Sequence, residues 1–353
     1  MKQLKNTRKS KTPLFIGIIA ACIIILVGLV LPLPYYIEMP GSAEDVQQFV
    51  KVDGQKNEQT GAYLLTTVGI RQATPVTLLL AKFNEFQEIE TKDAVFGEND
   101  SEEFDKIGQL QMTSSENMAK KVALDLAKEP YELVYEGVFV HSVVDESDFS
   151  GKLKVGDLVQ QVDEHSFKSS EEFMSYVKSK SLGETVTLQI LRDKEKLTVS
   201  GKLIELPDTK TVGIGITLSD QTSLKSDRKI TFDVDGIGGP SAGLMFTLEI
   251  YEGLINRSLR QGHIIAGTGE IRSNGDVGMI GGIDKKIVAA DKAGAEYFFA
   301  PSEDYSEEVL KENPDLKNNY QVAKEAAAKI KTKMKIVPVK NVQDALDFLA
   351  TLK

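Results

Sequence analysis

One serine stands where the start of a helix could activate it. Ser241 lies in the pentapeptide GPSAG, after a predicted strand and a glycine-rich loop and before an apolar run that predicts a helix. Backbone N–H groups at a helix N-terminus have no partner within the helix, so they can stabilise a developing oxyanion. The pentapeptide predicts either a nucleophile beside such a site or an ordinary helix start, and by itself it does not choose between the two.

A serine nucleophile needs a base, and the histidines supply a poor one. The pattern G-x-S-x-G is also typical of the nucleophile elbow of α/β-hydrolases, in which the acid and the histidine follow the serine. After Ser241 the sequence holds one histidine, His263, 22 residues later, with Glu249 and Glu252 between them in the same predicted helix. Because this leaves no room for the intervening sheet and loops, the esterase interpretation is weak. We expect His263 to be a structural residue that begins a strand.

A lysine can act as the base if burial keeps its amine neutral. Lys285 and Lys286 follow the double glycine Gly281-Gly282, and four apolar residues come directly after them in a predicted helix. We expect one of the two lysines to face solvent, and the residues alone do not say which. Lowering a lysine pKa from about 10.4 to between about 7 and 8 costs roughly 3–5 kcal/mol, which requires an apolar enclosure.

The composition excludes several other classes of site. The 353 residues include 42 Lys and Arg against 52 Asp and Glu, which gives a formal net charge of −10. Such a chain lacks the cationic surface of a general nucleic-acid binder. The single cysteine, Cys22, excludes an intrachain disulfide and a cysteine-rich zinc module. The three histidines are far apart and form no metal-ligand spacing, so we expect no metal site.

An apolar segment near the N-terminus predicts a membrane anchor. Residues 14–33 contain no charge, and a helix of 20 residues spans about 30 Å, the thickness of the hydrocarbon core. We therefore predict a transmembrane helix over residues 13–34, in contact with membrane lipid. Five basic residues and no acidic residue precede it, which predicts a cytoplasmic basic tail over 1–12. Residues 32–36 (PLPYY) do not offer a signal-peptidase site, so we expect a single-pass protein of the cell membrane whose remaining chain is extracellular.

The first part of the exported chain alternates between strand and helix patterns. Residues 61–70 predict a strand, and Pro75 to Phe83 predict a short apolar helix. The acidic stretch 85–105 predicts an exposed excursion. The capping box at residues 113–116 (TSSE) predicts the start of an amphipathic helix that stops at Pro130.

Residues 134–204 form a β-rich block that resembles a PDZ domain of the bacterial protease-associated type. The resemblance rests on a glycine followed by alternating apolar residues, on the turn Gly156-Asp157, on a helix near 170–180 and on a closing hairpin. It implies β-augmentation, in which an extended peptide adds to a sheet edge while its terminal carboxylate, or a loop, meets backbone N–H groups near Gly137, Val138 and Phe139. The alternative is a generic β-barrel without a ligand.

Three motifs together resemble the proteolytic domain of Lon-type proteases. GPSAG is followed by GTGEI and then by GMIGGIDKKIVAA, with 27 residues from Ser241 to Thr268 and 18 from Thr268 to Lys286. The resemblance implies that Ser241 is the nucleophile, that Lys286 rather than Lys285 is the general base, and that Thr268 supports the lysine by hydrogen bonding. Gly238 departs from the pattern, because many Lon enzymes carry an acidic residue three positions before the serine, and this leaves the gating of the site open.

The resemblance also sets the expected architecture. The helix that contains TSSENMAKKVALDLA looks like the M-x-x-S-x-x-x-A helix of Lon domains. The implied fold class is an α+β Lon-type proteolytic domain with an inserted β-rich PDZ domain and one N-terminal transmembrane helix. Its predicted parts are the N-terminal protease part 45–128, the PDZ domain 130–205 and the catalytic part 208–353. This combination resembles the membrane-anchored, PDZ-containing Lon-like proteases of Gram-positive bacteria.

The implied function is that of an ATP-independent serine endopeptidase. The sequence contains no G-x-x-x-x-G-K-[ST] motif, so we expect no nucleotide and no other cofactor. Peptides or unfolded protein segments outside the cell are then the expected substrates, and the resemblance implies that a secreted signalling peptide is among them. The alternative from another class is a catalytically inactive scaffold that binds peptides at the membrane surface through its PDZ domain.

Overall fold

The structure is a computed structural model that describes residues 12–57, 59–97, 99–207 and 209–352. It divides into two units: unit 1 contains residues up to Pro40 and Val68–Gly97, and unit 2 contains Gly41–Thr67 and Glu98–Lys353. The predicted basic tail lies outside the described residues except for Thr12. Strands β1 (Tyr35–Asp45) and β3 (Ala62–Gln72) each contribute residues to both units.

Unit 1 is built from short elements around a small apolar core. Its elements, besides its parts of β1 and β3, are α1 (Thr12–Val30), α2 (Pro75–Ala81), β4 (Glu88–Thr91) and α3 (Lys92–Phe96). The prediction of a short apolar helix from Pro75 is confirmed. The core consists of Ile37, Ala73 and Ala81, with Leu78 and Ile89 packed against it. Across the described part of the chain, no helix meets both the length and the apolarity needed to cross a membrane.

The helices of unit 2 mostly begin at a polar cap. The seven helices are α4 (Ser101–Ala127), α5 (Ser170–Lys178), α6 (Gly243–Ile255), α7 (Ile283–Lys292), α8 (Glu307–Glu312), α9 (Asn319–Ile330) and α10 (Val342–Leu349) among the residues described. Two 3₁₀ turns lie at Val46–Gln48 and Pro240–Ala242. The side chains of Asn318 and Asn341, for example, cap α9 and α10 by accepting a backbone N–H of the first turn.

The remaining strands of unit 2 form two larger sheets and three small pairs. They are β2 (Val50–Val52), β5 (Tyr131–Val143), β6 (Leu158–Val162), β7 (His165–Ser166), β8 (Thr185–Arg192), β9 (Glu195–Lys202), β10 (Ile204–Glu205), β11 (Val212–Gly213), β12 (Ile216–Ser226), β13 (Ile230–Phe232), β14 (Ile264–Gly267), β15 (Glu270–Ile271), β16 (Val277–Gly278), β17 (Tyr297–Pro301) and β18 (Lys335–Val339).

A largely parallel sheet lies in the part of the chain that was predicted to be catalytic. Within unit 2 its strands follow the order β18-β17-β14-β3-β1, and β14 pairs in parallel with both β17 and β3. The apolar helix α6 packs between this sheet and α4, so Leu244, Phe246 and Leu248 are fully buried in the main core. Parallel strands buried on both faces read as continuous apolar runs, which is the pattern of β14 and β17.

The helix that precedes the β-rich block is longer than predicted. α4 begins at Ser101, where Asp100 is the N-cap and forms a capping box with Glu103. The capping box predicted at residues 113–116 is therefore wrong, because these residues lie inside the helix. The stretch 85–105, predicted as an exposed excursion, holds β4, α3 and the first turn of α4. Acidic residues mark the start of a helix here because they complement its dipole.

A second, antiparallel sheet with its own core forms the β-rich block. Its strands follow the order β12-β5-β6-β8-β9, with β7 paired to β6. The buried core contains residues from Val138 to Leu203 and also Ile214, and it is flanked by Ile216 and Leu218 of β12. The core thus includes chain beyond residue 205. β12 pairs with β5 along its whole length, so it continues from this sheet to the side of α4, where Asn117 donates a hydrogen bond to the carbonyl of Thr222.

Candidate active site

The serine predicted as nucleophile lies in a short 3₁₀ turn at the start of α6. Gly239, directly before this turn, has a φ of 91°, a conformation that favours glycine. Its N–H donates to the carbonyl of Gly108 on α4 at 2.8 Å. The hydroxyl of Ser115, also on α4, donates to the carbonyl of Pro240 at 3.0 Å. Gly108 and Ser115 are two helical turns apart, so one face of α4 holds the loop on both sides of Pro240.

Thr268 is held directly beside the serine. It follows β14, and its N–H donates to the carbonyl of Phe299 on the neighbouring β17. Its hydroxyl donates to the carbonyl oxygen of Ser241 at 3.1 Å, and the N–H of Gly269 donates to the same oxygen at 2.8 Å. The parallel pairing of β14 thus places the threonine against the nucleophile loop.

Lys286 completes the cluster from the first turns of α7. Gly282 caps this helix in the left-handed conformation, and the N–H of Lys286 bonds to its carbonyl. The side chain turns inward and is only 3% exposed. Its Nζ lies 2.7 Å from Ser241 Oγ and 3.0 Å from Thr268 Oγ1. Burial lowers the pKa of Lys286 from 10.5 to about 7, because the charged amine loses its hydration.

The neighbouring lysine has a different environment. Lys285 is also buried, so the expectation that one of the two lysines faces solvent is wrong. Its Nζ lies 3.6 Å from a carboxylate oxygen of Asp284. Of the two, Lys286 is therefore the one in hydrogen-bond contact with the serine, as the resemblance implied.

The histidine and the glutamates considered for an esterase lie elsewhere. His263 stands directly before β14, and its Nδ1 lies 2.9 Å from a carboxylate oxygen of Glu296. Glu249 and Glu252 form buried ion pairs with Arg260 at 3.1 and 3.0 Å. Burial raises the pKa of Glu249 to about 7 despite the nearby guanidinium. This cluster joins α6 to the chain that follows it, and in the described structure His263 and the two glutamates are bonded to groups other than Ser241.

The departure at Gly238 has a steric reason in this chain. A Cβ at this position would lie 3.1 Å from backbone atoms of Gly108, closer than ordinary van der Waals contact. The two glycines let α4 and the loop that precedes Ser241 approach each other. An acidic side chain at 238 would therefore require a shift of the loop or of α4.

Ser115 and Gly108 were not singled out from the sequence. Ser115 was visible only as the serine of the M-x-x-S-x-x-x-A pattern, whose three named residues, Met112, Ser115 and Ala119, are all buried. A glycine inside a helix destabilises it, so its presence suggests a close packing contact at that position. This was the sequence signal that could have pointed to Gly108.

The residues predicted to bind peptide do not lie at a sheet edge. Gly137, Val138 and Phe139 are in β5, which pairs with β12 on one side, and Val138 and Phe139 also pair with β6 on the other. An internal strand has no free row of backbone groups for an added strand. The location predicted for β-augmentation is therefore wrong.

Among the described residues, no three His, Cys, Asp or Glu side chains are grouped so that they could hold a metal ion.

Comparison with known proteins places two domains on this chain. Residues 107–203 match the PDZ domain family, and residues 235–351 match the Lon protease (S16) C-terminal proteolytic domain. A Lon protease of Malacoplasma penetrans is 33% identical over 132 residues, which cover 34% of this chain and 17% of that protein. Lon protease 1 of Myxococcus xanthus is 29% identical over 177 residues, covering 46% of this chain and 20% of that protein.

A solved PDZ domain is similar to part of this chain. The PDZ domain of an SdrC-like protein from Listeria monocytogenes is 38% identical, with a TM-score of 0.24, and it covers 25% of this chain and 92% of that chain. The curated Lon relatives named above are much longer, and this chain spans no more than 20% of their length. The chain thus combines a PDZ domain with a Lon-type C-terminal proteolytic domain, which supports a serine peptidase.

Proposed function

We propose that this protein is a serine endopeptidase that uses Ser241 as its nucleophile and Lys286 as its general base. The observation that carries the proposal is the 2.7 Å contact between Lys286 Nζ and Ser241 Oγ inside an enclosure that lowers the lysine pKa to about 7. A base with a pKa near the working pH is largely neutral and can still return the proton it takes.

Thr268 orients the amine in this mechanism. Its hydroxyl hydrogen is engaged by the carbonyl of Ser241, so its lone pairs are free to accept an N–H of Lys286. With one N–H directed to Thr268, the lone pair of a neutral amine can point at the hydroxyl of Ser241. Thr268 is thus a positioning residue that acts through Lys286.

The reaction follows from these contacts. Ser241 Oγ forms a bond to the carbonyl carbon of the substrate while its proton passes to Lys286 Nζ, and the carbonyl π electrons move to the oxygen. The N–H groups of Gly243 and Leu244 already donate to the carbonyls of Pro240 and Gly269, so we assign the stabilisation of that oxyanion to the N–H of Ser241 in the 3₁₀ turn before α6. Lys286 then gives its proton to the leaving amine as the C–N bond breaks. Water attacks the acyl-enzyme in the same way and releases the second product.

We place the peptide-accepting edge of the PDZ domain on β12. This strand ends the order of strands in its sheet, so one side of its backbone has no partner strand and can accept a peptide by β-augmentation, except near Thr222, whose carbonyl accepts from Asn117 of α4. The first turn of α5 lies beside it, and the N–H of Ser170 donates to Asp220 on β12 at 3.0 Å. A peptide bound here would pair with β12 instead of β5.

The location and the substrates belong to the same proposal. The apolar run 14–33 and the basic residues before it support a membrane anchor with an extracellular catalytic part. The sequence lacks a nucleotide-binding P-loop, which supports cleavage without ATP of peptides or exposed segments. The likeness to Lon-like proteases of the SepM type supports a secreted signalling peptide as a substrate.

The test uses the full chain in detergent with an unstructured reporter peptide and without ATP. We expect the unaltered protein to cleave it and Ser241→Ala and Lys286→Arg to lose cleavage, since an arginine stays charged. Lys292→Arg, an exposed change on the same helix, is the matched control and should cleave normally. Equal cleavage by all four proteins would overturn the catalytic assignment. Peptide binding without cleavage by the unaltered protein would favour the inactive scaffold instead.

A further inference from the structure

An apolar patch on unit 1 has no partner within the described chain. Leu79 and Leu80 of α2 and Phe83 just after it are 60, 59 and 83% exposed, and we call these three residues the α2 patch. Leu78 and Ala81 of the same helix pack into the small core of unit 1, so α2 already has a buried face. The α2 patch is therefore a second apolar face, and it is turned away from that core.

The position of α2 along α1 indicates what this second face meets. A Cβ added at Gly28 of α1 would lie 3.2 Å from the side chain of Val76, so the two helices are in close contact there. The chain that leaves α1 is tied to the start of α2 as well: Leu33 N–H donates to the carbonyl of Ala73, and Gln72 donates to the carbonyl of Leu33. Gly28 lies about 3 Å along the helix axis from Val30, the last residue of α1.

We propose that the α2 patch inserts into the outer boundary between acyl chains and headgroups of the membrane that holds the anchor. This inference rests on the anchor in the proposed function. If the apolar run spans the hydrocarbon core, the contact at Gly28 brings α2 to the depth of roughly 5–10 Å at which interfacial helices bury their apolar face.

The polar groups of α2 are arranged so that this insertion exposes few of them to lipid. Thr74 and Thr77 form a reciprocal capping box, in which each side chain bonds to the backbone N–H of the other. This lowers the number of unpaired backbone N–H groups in the first helical turn. Lys82, between the patch residues, has a side chain long enough to bring its amine to the headgroups while its stem stays among apolar atoms.

A single tryptophan can measure the depth, because the chain contains none. The full chain carrying Phe83→Trp is placed in vesicles of phosphatidylcholine and phosphatidylglycerol whose acyl chains are brominated at shallow or deep positions. We expect blue-shifted emission that loses most of its intensity with the shallow bromines and less with the deep ones. Phe15→Trp, within the apolar run, is the reference for the anchor, and Leu182→Trp, exposed in a turn of the PDZ domain, is the aqueous control.

The reference variants separate the failure of this inference from that of the anchor. Quenching of Phe15→Trp without quenching of Phe83→Trp overturns the inference and leaves the anchor intact. Blue-shifted emission of Phe83→Trp without quenching also overturns it, because the side chain is then buried against protein, such as a second copy. Quenching of Phe83→Trp alone supports insertion of the patch and refutes the anchor, and the absence of quenching in both refutes both.

Discussion

The buried amine of Lys286 should make the stability of the catalytic part depend on pH. Its pKa is about 7 in the folded chain, against 10.5 for the free side chain. Between these two values the unfolded chain binds one more proton than the folded chain, so stability rises with pH across this window. The cost of burying the lysine therefore falls from about 3 kcal/mol at pH 8 to about 1 kcal/mol at pH 10.

The variant Lys286→Met removes this cost at every pH. It also removes the two hydrogen bonds of the amine, and this changes the free energy of unfolding by an amount that hardly depends on pH. Relative to its parent, the variant should therefore lose about 2–3 kcal/mol of its free energy of unfolding between pH 8 and pH 10. Other titrating groups are shared by the two proteins, so their contributions cancel in the difference.

Urea unfolding at pH 8, 9 and 10 provides the assay. Both proteins carry Ser241→Ala, so that neither can cleave itself, and Tyr297→Trp in β17, which is then the only tryptophan and reports on the catalytic part. Lys292→Met, an exposed change on α7, is the control. The difference between its free energy of unfolding and that of the parent should not change with pH. A flat difference for Lys286→Met as well would refute the depressed pKa and with it the neutral base.

Four further results are expected. The kcat/KM of peptide cleavage should rise with pH through about 7 and then level off, because only neutral Lys286 accepts a proton, and a profile measured from pH 5 to 9 checks this. Thr268→Asp should move that rise upward by about 1–3 pH units by stabilising the ammonium, whereas Thr268→Asn should not. Ser115→Ala should lower kcat with little change in KM and cost about 1 kcal/mol in urea unfolding. Gly238→Asp and Gly238→Ala both place a Cβ 3.1 Å from the backbone of Gly108, so both should lower the melting temperature and the rate of cleavage.

The proximity of the three proposed site residues was predictable because the motifs carry both residue type and order. Ser241, Thr268 and Lys286 come from three separate segments, and the structure brings their side chains within 3.0 Å of the amine. The bare residues did not decide between Lys285 and Lys286, since both start the same helix. Their different contacts, Lys286 with Ser241 and Thr268 and Lys285 with Asp284, depend on which side chain the folded chain directs to the serine, which is a tertiary property.

The peptide-binding edge was misplaced for a related reason. The motif around Gly137 predicts a strand correctly, but a sequence pattern does not say which strand of a sheet is at its edge. Here β12, which follows the predicted end of the PDZ block, pairs with the whole of β5 and covers it. The start of α4 was missed because the capping box at residues 113–116 fits the local rule, while Asp100 and Glu103 satisfy the same rule earlier and start a helix that continues through it.

The arrangement around Ser241 implies that the cost of a neutral lysine is met by the surrounding core and not by the site itself. The hydrogen bonds of Lys286 go to two hydroxyl oxygens, which stabilise an ammonium less than a carboxylate does. A carboxylate at either place would hold the proton and remove the base at neutral pH. The fold therefore needs an apolar enclosure rigid enough to exclude water, and α4 contributes to it by fixing the loop at Gly108 and Ser115. Loosening α4 should then affect catalysis through the pKa of Lys286 as well as through the position of the serine.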